Sequence, residues 1–168
     1  MIDLSQVPRR SATLLVGIDG AGGSGKSTLA ATLTDKIVAM DDFITAPWEW
    51  YDFERLRRDV LEPLQRDEPA RYQRMDWNDG ELREWHELQP GGVVVVEGVA
   101  ALDMLLRPAY DYRIWVETPR EICLERGLER DGPTALPLWE AWSEKEEQYW
   151  REQRPRESAD AIVDGSGR

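Results

Sequence analysis

Residues 20–28 read Gly-Ala-Gly-Gly-Ser-Gly-Lys-Ser-Thr, the pattern G-x-x-x-x-G-K-[ST]. No other stretch constrains the fold so strongly, because this pattern works only between a strand and a helix. Its flanks meet that condition. Thr13, Leu14, Leu15, Val16, Gly17 and Ile18 read as a buried strand, and Ser27 through Leu33 read as a helix. The glycines let the backbone turn its N–H groups inward as a nest for oxyanions, and the helix adds its positive end. Lys26 is placed to reach the β- and γ-phosphates of a nucleotide, and the Ser27 hydroxyl to bind Mg²⁺. The motif predicts a nucleotide-phosphate site made of Gly20, Ala21, Gly22, Gly23, Ser24, Gly25, Lys26, Ser27 and Thr28.

The rest of the chain alternates strand and helix signals. The first helix is predicted to run to about Lys36, followed by a strand over Ile37–Met40. Asp52 can cap a helix that carries Leu56, Val60, Leu61 and Leu64 on one side, with Pro63 kinking or ending it. Residues 66–79 lack periodicity, and Leu82, Trp85 and Leu88 suggest a short helix. Pro90-Gly91-Gly92 turns into Val93–Val96, four β-branched residues that mark a strand buried on both faces. A short helix is expected near 101–106 and a strand over Tyr112–Val116. Thr118-Pro119-Arg120-Glu121 is a helix start with a capping Thr and Pro at the first helical position. A helix over about 137–153 and a strand over 159–163 close the pattern. Alternation of this kind predicts an α/β fold, with three layers and a doubly wound, mainly parallel sheet of about five strands. Residues 1–168 form one expected domain, with no internal repeat or linker.

Charge and composition exclude several classes. The net charge of −12 argues against a broad nucleic-acid surface. With only Lys26, Lys36 and Lys145 as lysines, arginine carries most of the positive charge. Cys123 is the sole cysteine, so no internal disulfide forms, and within a helix it reads as a packing thiol. His86 is the sole histidine, which removes any two-histidine metal site. No apolar run approaches a membrane span and no signal peptide opens the chain, so the expected compartment is the cytoplasm.

Ligands of parallel α/β sheets sit at the carboxyl ends of strands. Three polar groups fall there: the loop after the first strand, Asp41-Asp42 after the second, and Glu97 after the four valines. Carboxylates converging on a bound triphosphate can hold Mg²⁺ or accept a hydroxyl proton, so Asp41, Ser27 and Glu97 are the candidate metal-side groups. Arg126 and Arg130 lie four apart on one helical face; they either neutralise phosphate charge during transfer or form a solvated face paired with Glu125 and Glu129. Trp48, Trp50, Tyr51, Tyr72 and Trp77 crowd the least periodic region, as a stacking pocket or as packing. Trp139, Trp142, Tyr149 and Trp150 share a helix face and are expected in the core.

Taken together, these motifs resemble the uridine kinase-like group of P-loop kinases, related to pantothenate kinase and phosphoribulokinase. The resemblance rests on Gly17–Ser27, Met40-Asp41-Asp42-Phe43, Val96-Glu97-Gly98, Arg126-x-x-x-Arg130-Asp131 and Ala159–Val163. It implies Asp41 as the base for an acceptor hydroxyl, a lid over 126–137 whose arginines touch the phosphates, and an acceptor-binding insertion over 44–89. The expected activity is ATP- and Mg²⁺-dependent phosphoryl transfer to a small hydroxyl-bearing metabolite, such as a nucleoside, without a nucleic-acid or membrane partner. A nucleotide or antibiotic kinase and a non-catalytic ATP-binding regulator use the same core. The guanine-reading sequence Asn-Lys-x-Asp of GTP switches is absent.

Overall fold

Val93–Val96 belong to a strand, β5 (Gly92–Glu97), that pairs on both edges and is buried from Val94 to Glu97. On one side lies β1 (Thr13–Gly20), buried along its whole length; on the other lies the short β2 (Ile37–Ala39). Beyond β1 come β6 (Tyr112–Glu117) and the edge strand β7 (Ala161–Asp164), so the order is β2-β5-β1-β6-β7. Every pairing in this sheet is parallel. The five-stranded, doubly wound sheet agrees with the sequence expectation. The computed structural model describes residues 2–45, 49–76 and 79–167.

Alternation along β1 distributes its side chains between two cores. Leu14, Val16 and Ile18 pack with Ala30, Val95, Ile114 and Val116 on one face. Leu15 packs on the other with Val94, Val96, Phe43, Leu56, Leu61 and Tyr149. The first face is covered by α1 (Lys26–Leu33). The second receives α2 (Phe53–Leu56), a π-turn over Arg57–Leu61, α3 (Glu62–Gln65) and the long α5 (Leu136–Gln153). Asp52 caps α2 as expected, accepting from the Arg55 N–H at 3.0 Å. The π-turn ends two residues before Pro63, whose missing N–H and bulky ring disfavour a regular α-turn over the preceding residues. The fourth helix, α4 (Arg120–Asp131), runs beside the P-loop.

Several local expectations are corrected. Leu82, Trp85 and Leu88 are not helical: β4 (Leu82–Leu88) pairs antiparallel with β3 (Ala70–Met75). The three-residue spacing implied one buried face, yet Trp85 is 57% exposed, with the Arg71 guanidinium over its ring. Residues 101–106 form turns rather than a helix, because Asp103 Oδ1 accepts the Leu105 N–H at 2.9 Å and competes with helical bonding. α1 stops at Leu33, where Thr34 turns extended and its hydroxyl donates to the Val93 carbonyl. Met40 leaves β2 for a 3₁₀ turn over Met40–Phe43. Thr118 does not cap α4; its hydroxyl donates instead to the Ser24 carbonyl at 2.9 Å, tying the helix start to the loop.

Candidate active site

β1 delivers the chain to the middle of the sheet edge, and the Gly20–Thr28 loop turns there into α1. Gly23 has φ +78° and lies so close to α4 that a Cβ would sit 2.4 Å from the Cys123 carbonyl oxygen. Only glycine meets both conditions. Lys26 is 7% exposed; its ammonium donates to the Ala21 carbonyl at 2.6 Å and lies 3.5 Å from Ser24 Oγ. Cys123 is a buried packing thiol, as expected, and burial raises its pKa.

Parallel pairing places Glu97 opposite Ile18, just below the loop. Its carboxylate accepts from the Ser27 hydroxyl at 3.0 Å. Burial pushes the Glu97 pKa above its ordinary value, opposed by Lys26. A hydroxyl and a carboxylate beside a phosphate cradle suit Mg²⁺, which keeps waters and takes few protein oxygens. Among the described residues no group of three or more His, Cys, Asp or Glu could hold a metal.

The 3₁₀ turn after β2 separates two adjacent aspartates. Asp41 keeps solvent access, while surrounding protein mass desolvates its carboxyl and raises its pKa; Lys26 and Arg130 pull it back. Asp42 points into the protein, where its carboxylate pairs with Arg74 at 3.0 Å. Its pKa is also raised by burial, with Arg74 opposing. The structure thus brings Lys26, Ser27, Asp41 and Glu97 to one sheet edge and keeps Asp42 apart.

Arg126 donates to the carbonyls of Gly23, Gly165 and Ser166 at 3.3, 2.9 and 3.1 Å. Arg130 pairs with Asp131 at 2.8 Å, lies over the Trp139 ring, and interacts electrostatically with Asp41. Of the two readings of these arginines, the solvated face paired with Glu125 and Glu129 does not match these contacts. Trp48 and Trp77 lie outside the described residues. Trp50 and Tyr51 pack with Trp142 at 5.6 and 6.1 Å, while Tyr72 stacks between Phe43 and His86 at 5.1 and 5.4 Å. On α5, Tyr149 is buried, and Trp139, Trp142 and Trp150 are half-buried.

Sequence reasoning missed several residues of this site. Asp19 is fully buried beneath the loop, accepting from Gly20 N, Leu102 N and the Tyr149 hydroxyl at 2.6, 2.9 and 2.7 Å. Burial raises its pKa, with Tyr149 the main opposing partner. Glu146, from α5, accepts the Gly22 N–H at 2.8 Å. Arg55 donates to the carbonyls of Asp42 and Gln73 at 2.6 and 2.9 Å and lies over the Phe43 ring. Glu146 is one acid in a run with Glu140, Glu144 and Glu147, so nothing local singles it out.

Comparison with known proteins places the chain among relatives of the same fold. Residues 16–153 match the family described as AAA domain. A uridine kinase of Proteus mirabilis is 31% identical over 144 residues, covering 70% of this chain and 68% of that protein. The uridine kinase of Serratia proteamaculans is 26% identical over 145 residues with the same coverage. A solved structure described as a possible uridine kinase from Bacillus stearothermophilus superposes with a TM-score of 0.67 over 90% of this chain and 89% of that one; at 19% identity it shares the fold.

Proposed function

Because this chain belongs to the AAA domain family and is a uridine kinase-like P-loop protein, we propose that it is an ATP- and Mg²⁺-dependent phosphotransferase acting on a hydroxyl of a small metabolite. The observation that carries the reading is the convergence on Lys26: Asp41 approaches from the 3₁₀ turn after β2, and the Ser27–Glu97 pair from α1 and β5. Three carboxyl- and hydroxyl-bearing elements around one ammonium serve phosphoryl transfer better than they serve packing.

In this reading the loop amides and Lys26 hold the β- and γ-phosphates. Ser27 and Glu97 would hold Mg²⁺, which supplies neutralisation of phosphate charge when bound. Asp41 holds the acceptor hydroxyl in line and takes its proton. The acceptor oxygen–phosphorus bond forms as the bridging bond to ADP breaks. Arg130 and Arg126 balance the charge that moves toward the leaving group. Phosphoryl transfer depends on this positioning more than on a strong base. Asp41 is exposed to solvent, with Tyr51 as an electrostatic neighbour, and so is open to an acceptor from that side.

The test is ADP release with MgATP, alone and with nucleosides and small alcohols, followed by product mass. Turnover stimulated by an acceptor, with a product heavier by one phosphoryl group, is expected. Nucleosides are the first class to try, since the Proteus and Serratia relatives are uridine kinases. Slow hydrolysis indifferent to every acceptor would replace the kinase with a nucleotide switch, and binding without turnover would replace it with a regulator.

A further inference from the structure

The Ala21–Gly22 peptide in the phosphate loop is gripped at both ends. Its carbonyl accepts from the Lys26 ammonium at 2.6 Å, and its N–H donates to Glu146 Oε1 at 2.8 Å. A peptide group is planar and trans, so its N–H and C=O point in opposite directions and turn together. Fixing the N–H on Glu146 therefore fixes the carbonyl toward Lys26.

The grip is built from α5. Glu146 is 4% exposed and takes a second hydrogen bond from Trp142, one helical turn earlier. Trp139 presses on the same peptide: a Cβ at Gly22 would stand 2.9 Å from the Trp139 ring and 3.3 Å from Glu146 Oε1. On α4, Gly127 makes room for that ring, since a Cβ there would meet it at 2.4 Å. Burying a carboxylate is costly unless it is well bonded, and an apolar side chain would fill the space at less cost. The peptide N–H it accepts from offsets that cost.

We propose that Glu146 is a positioning residue that sets the orientation of the Ala21–Gly22 peptide and, through the Ala21 carbonyl, the place of the Lys26 ammonium in the nucleotide site. This rests on the kinase reading for the identity of the nucleotide. Without the acceptor, the peptide preceding flexible Gly22 is free to turn and Lys26 loses the carbonyl that holds it. Asp19 and Cys123 also neighbour Glu146 electrostatically, but neither is hydrogen-bonded to this peptide.

The experiment combines calorimetric titration of ATP with the amide resonance of Gly22 in the ¹⁵N-labelled full chain, on wild type, Glu146→Gln and Glu146→Met. Methionine fills similar space without a carboxylate acceptor. Glu146→Met is expected to weaken ATP about tenfold, the scale of one charge-assisted hydrogen bond, and to shift the Gly22 resonance. Glu146→Gln, whose side-chain carbonyl still accepts, is expected to stay within about threefold of wild type, a difference under one kcal/mol by the affinity relation. Thermal melting of all three separates packing from positioning. A lowered Tm in Glu146→Met with wild-type ATP affinity makes Glu146 a packing residue and overturns the proposal. Tighter ATP binding in either variant overturns it too, since the carboxylate would then be competing with phosphate. A wild-type chain that binds no ATP sinks the kinase reading and this proposal together, whereas normal wild-type binding with unchanged variants sinks this proposal alone.

Discussion

The Met40–Phe43 turn joins two regions, the phosphate loop and the β3–β4 hairpin: Asp41 interacts with Lys26 of the loop, and Asp42 pairs with Arg74 of the hairpin. On the loop side, nine consecutive residues present mostly backbone, and the geometry follows from glycine and a helix start. On the hairpin side, the contacts are made by side chains from separate segments: Arg55 from α2, Arg74 from β3, and Tyr72 stacked against His86 of β4. Backbone binding is written into a short contiguous pattern. Side-chain binding depends on which distant segments meet. The loop side therefore matches a widely shared motif, and the hairpin side is where chains that share that motif can differ.

The comparison breaks most readily at the two aspartates. Asp41→Asn keeps the shape and removes the proton acceptor; kcat should fall on the order of 10²-fold or more, with ATP binding changed far less. Asp42→Asn should be milder, because its carboxylate is engaged by Arg74. Both are measured at saturating MgATP with the identified acceptor. An inactive Asp42→Asn beside an active Asp41→Asn would exchange the roles of the two sides.

Arg55→Ala tests the hairpin side as structure. Arg55 is 9% exposed and satisfies two carbonyls, so its loss should cost about 3 kcal/mol, read as a reduced urea midpoint. An unchanged midpoint would mean the hairpin is held by its apolar contacts alone. Lys26→Ala tests the loop side as function. Losing a charge-assisted phosphate contact should cost roughly 1.5–3 kcal/mol of ATP binding, at least about tenfold, while the fold survives. Wild-type ATP affinity and turnover in that variant would remove the loop from the site.

The smallest effect belongs to the sheet edge, away from both sides. The Arg113 guanidinium holds the Asp160 carboxyl below its ordinary pKa, and the pair fastens the start of β7 to β6. A depressed carboxylate contributes stability above its unfolded pKa and loses that contribution as pH falls through the folded value. Both groups are about one-third exposed, so Asp160→Asn should cost less than about 1 kcal/mol at neutral pH after solvent screening. The difference from wild type should vanish in melts under strongly acidic conditions. A difference that grows on acidification would reverse this assignment.

The strand–loop–helix unit, the buried valine strand and the α4 and α5 helices were legible in the residues, because each is a local pattern with strong apolar or capping signals. The β3–β4 hairpin was not. Its apolar residues are three apart, the register slips between Gln73 and Met75, and Trp85 faces solvent, so neither strand shows clean alternation. Thr118 is the converse case: it has the right neighbours for a helix cap, yet its hydroxyl is taken by the Ser24 carbonyl across the fold.

Local sequence was sufficient to establish the parallel sheet, the phosphate loop and the edge on which Asp41 and Glu97 stand, since strand direction alone carries those groups to the same end. Tertiary structure decided the rest. It turned Asp42 onto Arg74, set Arg126 on three carbonyls, and brought Glu146 onto the Gly22 amide from 124 residues away. The reason is that each of those contacts joins segments whose spacing along the chain carries no trace of their spacing in the fold.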